Sequence, residues 1–212
     1  MLAPNKIFLV RHGQSEWNGQ KRISGQADPA LTLKGRQQAL SLEKVLRGEK
    51  LAAIYTSPLQ RARATAEPTA EFHGLTIETR AELKEIHFGI LQGRFRDGRD
   101  PEAERMWAER EEDKTHFKFP GGESFLELEA RVMPCLQTIL AAHAGETILF
   151  VGHRSTNRVL LGALLQWPRE TYLDLDLSGK YLYEIKLGNQ PRIATIRLDE
   201  EKCGQRYERF KT

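Results

Sequence analysis

The sequence predicts an α/β fold: a three-layer α/β/α sandwich with a mostly parallel central sheet, one edge hairpin, and an inserted lid region near residues 93–122. Three observations predict it. Short apolar runs rich in β-branched and aromatic residues recur along the chain, helical segments lie between them, and two of the runs are apolar throughout instead of alternating. Strand alternating with helix is the pattern of a layered fold with a largely parallel sheet. A strand that is apolar at every position needs cover on both faces, so it belongs in the middle of that sheet.

The first strand is read over Lys6–Val10, where IFLV is one of the two continuous runs. A helix over Thr32–Leu46 opens on a threonine able to cap its free N–H groups. The strand Ala52–Thr56 leads into a helix over Pro58–Phe72, opening with Ser57 and a proline suited to a first turn. After a Gly-Gly turn a helix is read over Ser124–Ala142, and then the second continuous run, TILFV, over Thr147–Val151. A fourth helix runs from about Ser155 to Leu165. Strands over Tyr181–Lys186 and Arg192–Leu198, joined across Gly188-Asn189-Gln190-Pro191, form the edge hairpin. The stretch Gly93–Gly122 breaks the alternation with five arginines, many acids and Trp107. It reads as a lid over one end of the sheet or, with equal weight, as a solvated amphipathic helix with loops.

A chain of 212 residues suits one domain over 1–212. Its 32 Lys and Arg against 29 Asp and Glu leave a charge of +3 with no basic bank, so no nucleic-acid partner is expected. A small anionic substrate fits the same balance, because a few arginines gathered in one cleft bind it without moving the global charge. Two cysteines, Cys135 and Cys203, are too few for a disulfide framework and lack zinc-binding spacing. Carboxylates with ligand spacing are also missing, so neither metal nor cofactor is expected. The opening MLAPNKIFLVRHG is unlike a signal peptide and no run approaches membrane-spanning length, which points to a soluble cytoplasmic protein without a membrane partner. A homodimer through an exposed sheet edge or helix face is compatible with the pattern.

In an open α/β sheet, ligands bind beyond the carboxyl ends of the strands. Here IFLV runs into Arg11-His12-Gly13, TILFV runs into Gly152-His153-Arg154, and AAIYT runs into a helix carrying Arg61 and Arg63. If these strands are neighbours, two imidazoles and at least two guanidiniums meet. Guanidiniums grip phosphate oxygens in forked pairs and a neutral imidazole is a competent nucleophile near pH 7. Any one of these residues alone is uninformative; together they suit a phosphate.

Arg11-His12-Gly13-Gln14-Ser15-Glu16-Trp17-Asn18 resembles the RHG[E/Q][S/T]xWN signature of the phosphoglycerate mutase-like histidine phosphatases. Ser57-Pro58-Leu59-Gln60-Arg61-Ala62 with Thr65-Ala66 resembles the family's second motif, and Leu83-Lys84-Glu85-Ile86-His87-Phe88-Gly89 its acid-bearing segment. Gly121-Gly122-Glu123-Ser124 and Val151-Gly152-His153 complete the order, so the resemblance covers about three quarters of the chain. It implies that His12 attacks phosphorus and becomes a phosphohistidine, while Arg11, Arg61 and a protonated His153 surround the phosphoryl oxygens and Asn18 adds a neutral donor. It implies further that Glu85, as a carboxyl of raised pKa, protonates the leaving oxygen and then deprotonates the hydrolytic water. Cationic side chains take the place that magnesium fills in other phosphoryl-transfer sites.

The chain departs from the pattern after His153, where the family often has glycine and this sequence has Arg154, which reads as a substrate-binding residue or, with equal weight, as an ordinary surface one. His87, two positions after Glu85, either tunes that acid or faces solvent, and the second reading is preferred. Arg94, Arg96 and Arg99 either hang over the pocket to bind a second anionic group or pair with Asp97, Asp100, Glu102 and Glu104. The segment Gly89-Ile90-Leu91-Gln92-Gly93 is similar to that of the mutases. The chain length and the GGES motif look more like the phosphatases, whose reaction on a small phosphorylated metabolite is the preferred reading. A phosphoglycerate mutase using the same intermediate is the alternative. A non-catalytic phospho-ligand binding protein is remoter, since only chemistry requires all five of Arg11, His12, Arg61, Glu85 and His153.

Overall fold

The computed structural model describes residues 4–211. In chain order it contains β1 (Lys6–Arg11), α1 (Glu16–Gly19), α2 (Leu33–Leu46), β2 (Ala53–Thr56), α3 (Gln60–His73) and β3 (Ile77–Thr79). There follow α4 (Pro101–Glu112), α5 (Phe125–Ala142), β4 (Thr147–Gly152), α6 (Arg154–Leu165), α7 (Arg169–Tyr172), β5 (Tyr181–Lys186), β6 (Arg192–Arg197) and β7 (Arg206–Tyr207). The strands form one mixed sheet in the order β3-β2-β4-β1-β5-β6-β7. From β3 to β1 the neighbours are parallel; from β1 outward through the hairpin β5–β6 to β7 they are antiparallel.

The continuous apolar runs have the expected cause. Ile7 and Leu9 of β1, with Ile148 and Phe150 of β4, pack under Leu128 and Val132 of α5 and Val159 and Leu160 of α6. The intervening Phe8 and Val10, with Leu149 and Val151, pack under Leu42 and Leu46 of α2 and Ala66 and Ala70 of α3. Successive strand residues point to opposite faces, so helices on both sides demand apolar residues at every position. Each such side chain contributes about 1.5–3 kcal/mol by leaving water.

Capping follows the sequence at two of three helices. Thr32 accepts from the Gly35 N–H, and Ser124 forms a reciprocal capping box with Glu127. At α3 the expected cap fails: the helix starts later, after Leu59, with no side-chain cap, and the Ser57 hydroxyl instead meets His153 Nε2 and accepts from the Leu59 N–H at 3.3 Å. Two short edge strands were not legible. β3 is half-exposed and only three residues long, and β7 is held by Arg206, whose guanidinium meets the buried Glu184 of β5 at 2.5 and 3.1 Å.

The segment 93–122 forms a lid over one end of the sheet. Its helix α4 packs Ala103 and Met106 with Phe119, Leu91 and Ile23 in a separate small core. Among the described residues no helix is long and apolar enough to cross a membrane, and no group of three or more His, Cys, Asp or Glu could hold a metal ion.

Candidate active site

Parallel register sets the centre of the site. Arg11, the last residue of β1, lies opposite Gly152, the last of β4, and Thr56 of β2 lies opposite Val151. The next residues of these three strands are therefore His12, His153 and Ser57. The His12 N–H donates to the Gly152 carbonyl at 2.9 Å, and the two imidazole rings sit 5.2 Å apart between centroids.

His12 leaves the strand on a turn pressed against α2. The Gly13 N–H donates to Thr65 Oγ1 at 3.0 Å, and a Cβ on Gly13 would stand 2.5 Å from the Gly35 carbonyl oxygen, so only glycine fits. His12 Nδ1 donates to the Gly13 carbonyl at 2.7 Å, which places the proton on Nδ1 and leaves the lone pair on Nε2. Arg61 Nε donates to that lone pair at 3.2 Å. Burial, then the charges of Arg61 and Arg11, hold the imidazole well below its ordinary pKa, so His12 is neutral at pH 7.

Arg61 projects from the first turn of α3 and is itself buried. Its two terminal nitrogens donate to the Ala27 and Gly25 carbonyls, each at 2.6 Å, which locks the fork in place. Arg11 is pulled down to about 10, chiefly by burial and then by Arg154, and its Nε has no hydrogen-bond partner among the described residues. Asn18 lines the same cleft; its carbonyl oxygen accepts from the Ser15 N–H to close the α1 cap, leaving the amide N–H groups for a ligand.

His153 is fully buried, with Nε2 2.7 Å from the Ser57 hydroxyl. In the ligand-free fold burial, followed by the neighbouring Arg61, His12 and Arg11, holds this imidazole well below its ordinary pKa. A third positive charge against two guanidiniums is repelled where hydration cannot offset it. Its Nδ1 is buried without a partner among the described residues.

Glu85 sits on the opposite wall. Its carboxylate accepts from the Ser155 N–H in the first turn of α6, at 3.1 and 3.3 Å, and from its neighbour's N–H at 2.9 Å. The loop bearing it is clamped from behind. Arg131 donates to the carbonyls of Lys84 and Glu85 and is itself gripped by both oxygens of Glu123, at 2.6 and 2.9 Å. The acidic residue of the GGES segment thus acts through Arg131 to position Glu85. His87 accepts from the Gly89 N–H at 3.0 Å through Nδ1, a loop-bracing contact.

Around these groups opens a cleft of about 500 Å³. Arg154 reaches it from the N-terminus of α6 while pairing with Asp176 at 3.1 Å. The three lid arginines divide. Arg94 is held by Asp100 and Glu102, and Arg99 by Asp97, so both turn away from a ligand role. Arg96 faces the cleft, stacked 3.8 Å from the Trp107 ring centroid. Lys21, Arg22, Arg110 and Arg158 also line it and were not singled out from sequence. For Arg158 a signal existed, since it lies one helical turn after Arg154; for Arg110 none did.

A model of the histidine phosphatase superfamily, branch 1, matches residues 7–196. The chain belongs to this superfamily. Among curated relatives it is 34% identical to a probable phosphoglycerate mutase, GpmB, of Photorhabdus laumondii, over 90% of this chain and 88% of that protein. Among solved structures it resembles a mycobacterial glucosyl-3-phosphoglycerate phosphatase, with TM-score 0.75, 27% identity, and coverage of 89% of this chain and 97% of that one. It also resembles a putative α-ribazole-5′-phosphate phosphatase from Escherichia coli, with TM-score 0.81, 25% identity, and coverage of 94% and 98%. The superfamily motifs read from the sequence are the segments that converge here: the RHG turn, the Arg61 helix, the Glu85 loop and the His153 strand end.

Proposed function

We propose that this chain is a metal-independent phosphatase that hydrolyses a small phosphorylated metabolite, a phosphorylated acid or a sugar phosphate or bisphosphate, through a phosphohistidine on His12. The observation that carries the reading is the His12 imidazole, neutral, with its proton held on Nδ1 and its Nε2 lone pair in a cation-lined cleft. In the first step Nε2 attacks phosphorus, the ester P–O bond breaks, and Glu85 gives a proton to the departing oxygen. In the second, Glu85 takes a proton from water, the water oxygen attacks phosphorus, and the P–N bond breaks to release inorganic phosphate.

Arg11, Arg61 and Asn18 donate to the phosphoryl oxygens throughout, and Arg154 binds the remainder of the substrate. The two negative charges of a phosphate monoester oppose the arginines that depress His153, so its protonation accompanies substrate binding instead of preceding it. Two solved neighbours, one named as a phosphatase and one as a putative phosphatase, support hydrolysis. A second reading, phosphoglycerate mutase, is favoured by the name of the curated relative, and differs only in handing the phosphoryl group to a second hydroxyl.

The test is hydrolysis of phosphorylated acids, sugar phosphates and bisphosphates in chelator, with 3-phosphoglycerate under mutase conditions and His12→Ala as control. Phosphate release that persists in chelator and vanishes in the variant supports the phosphatase. Isomerisation exceeding release selects the mutase, and loss of activity in chelator rejects metal independence.

A further inference from the structure

Arg61 and Glu85 are held by different loops, and the proposed reaction needs both at one phosphorus. Arg61 is locked by the carbonyls of Gly25 and Ala27, between α1 and α2, whereas Glu85 lies on the segment between β3 and α4. In the first step the ester bond breaks as Glu85 protonates the leaving oxygen, so the acid and the cation must keep their separation to a fraction of an ångström. The central sheet does not join these loops. They meet at a single bridge, Arg22 with Phe95, and, next to the site, through two glutamines.

The glutamines cross between the loops. Gln26 donates from Nε2 to the Glu85 carbonyl at 3.1 Å, and the Gln26 backbone N–H donates to Gln92 Oε1 at 2.7 Å. Gln92 closes the short turn that follows Glu85, its own N–H bonded to the Gly89 carbonyl at 3.1 Å. Each loop thus lends one side-chain amide to the backbone of the other.

The Gln92 contact bears on Arg61. The N–H that it accepts belongs to the same peptide group as the Gly25 carbonyl, which takes a terminal nitrogen of Arg61 at 2.6 Å. A hydrogen bond on one side of a peptide group polarises and strengthens the bond on the other. Gly25 has a φ of +53°, and a Cβ there would overlap the Gln92 carboxamide, so the backbone is shaped around this side chain. The Gln26 contact bears on Glu85, whose carbonyl receives two donors, Gln26 from the Arg61 side and Arg131 from α5. Neither glutamine lines the cleft, so both act through other residues.

We propose that Gln26 and Gln92 are positioning residues that hold the general acid Glu85 in register with the donor fork of Arg61. The role of Gln26 rests on the phosphatase reading of Glu85; that of Gln92 rests only on Arg61 and His12 as the phosphoryl-binding pair. Loss of Gln26 should therefore show where a leaving oxygen needs a proton, and loss of Gln92 where the phosphoryl group is gripped.

The test for Gln26 compares phenyl phosphate, whose leaving oxygen needs the proton, with p-nitrophenyl phosphate, which departs as a stable anion. Gln26→Leu should lower kcat/KM for phenyl phosphate at least about tenfold more than for p-nitrophenyl phosphate, part of the ~10²–10⁴ that a well-placed acid supplies. A merely structural role would lower both by one factor, and that result would overturn the assignment. For Gln92 the readout is the affinity for orthovanadate, a mimic of the transferring phosphoryl group, by titration calorimetry. Gln92→Leu, which strands the Gln26 N–H, should weaken it about tenfold, and Gln92→Glu, which keeps an acceptor oxygen, should stay within about threefold of wild type. Gln92→Asn, one methylene too short, replaces Gln92→Leu if melting curves show that chain unfolded. Vanadate bound as tightly by the Leu or Asn variant as by wild type, or as weakly by Gln92→Glu, would overturn the role of Gln92. Hydrolysis of neither ester by the wild type would count against the phosphatase reading and remove the role of Gln26 with it, while vanadate would still decide that of Gln92.

Discussion

Arg61→Gln separates the charge of the guanidinium from its role as a donor. Arg61 touches the His12 lone pair at 3.2 Å and holds the Gly25 and Ala27 carbonyls at 2.6 Å. A glutamine keeps one donor group for one of those carbonyls, so the fold should lose only about 1–3 kcal/mol for the other, partly offset by removing a buried charge. Removing a pre-positioned cationic donor from the transition state should cost about 2.7–4 kcal/mol, or ~10²–10³ in kcat. A second, independent effect follows from proton affinity. Arg61 is the largest influence on the His12 pKa after burial, so its loss raises that pKa while burial still keeps it below 6.5. The acid limb of kcat/KM should therefore move to higher pH. The assay is p-nitrophenyl phosphate hydrolysis from pH 4 to 8 for wild type and variant, with melting curves to show that both are folded; ionisation of the substrate cancels in the comparison. A loss of less than about tenfold, or an acid limb that stays put or moves to lower pH, would refute the placement of Arg61 against a neutral nucleophile.

Stability should itself depend on pH through the two buried imidazoles. Both are held well below 6.5, so beneath that pH the unfolded chain binds more protons and stability falls with acidification, by up to about 1.4 kcal/mol per pH unit for each histidine. Urea unfolding at several pH values should show a shallower slope for His153→Gln, and an unchanged slope would mean that His153 is charged in the fold. Gly13→Ala should lower the melting temperature and abolish turnover together, because its Cβ meets the Gly35 carbonyl oxygen at 2.5 Å; a variant with wild-type stability and rate would contradict that packing. Glu85→Gln should slow both proton transfers, least in the first step with good leaving groups, so phosphoenzyme should accumulate from p-nitrophenyl phosphate. Quenched samples containing no more phosphoenzyme than wild type would remove Glu85 from the second step.

The centre of the fold and of the site could be read from the chain because both rest on local pattern. IFLV and TILFV are apolar at every position since helices cover both faces, and each ends in a histidine at the edge where parallel strands deliver their ligands. What stayed hidden depends on contacts between distant residues. Ser57 looks like a helix cap until its hydroxyl is found on His153, and β7 has no strand pattern because an ion pair to Glu184 holds it. Arg94, Arg96 and Arg99 are equivalent in sequence, yet acids within eight residues claim the first and last while Trp107 turns the middle one to the cleft. The charge of His153 is hidden for the same reason, since it depends on how many guanidiniums surround a buried ring.

The most direct measurement is rapid-quench trapping of the phosphoenzyme with radiolabelled substrate, followed by peptide mapping under alkaline conditions that preserve phosphohistidine. The expected result is label on the peptide containing His12 during turnover, absent from His12→Ala, and discharged to inorganic phosphate at a rate matching kcat. Turnover with no trapped label, or label that persists at another residue in His12→Ala, would contradict nucleophilic attack by His12.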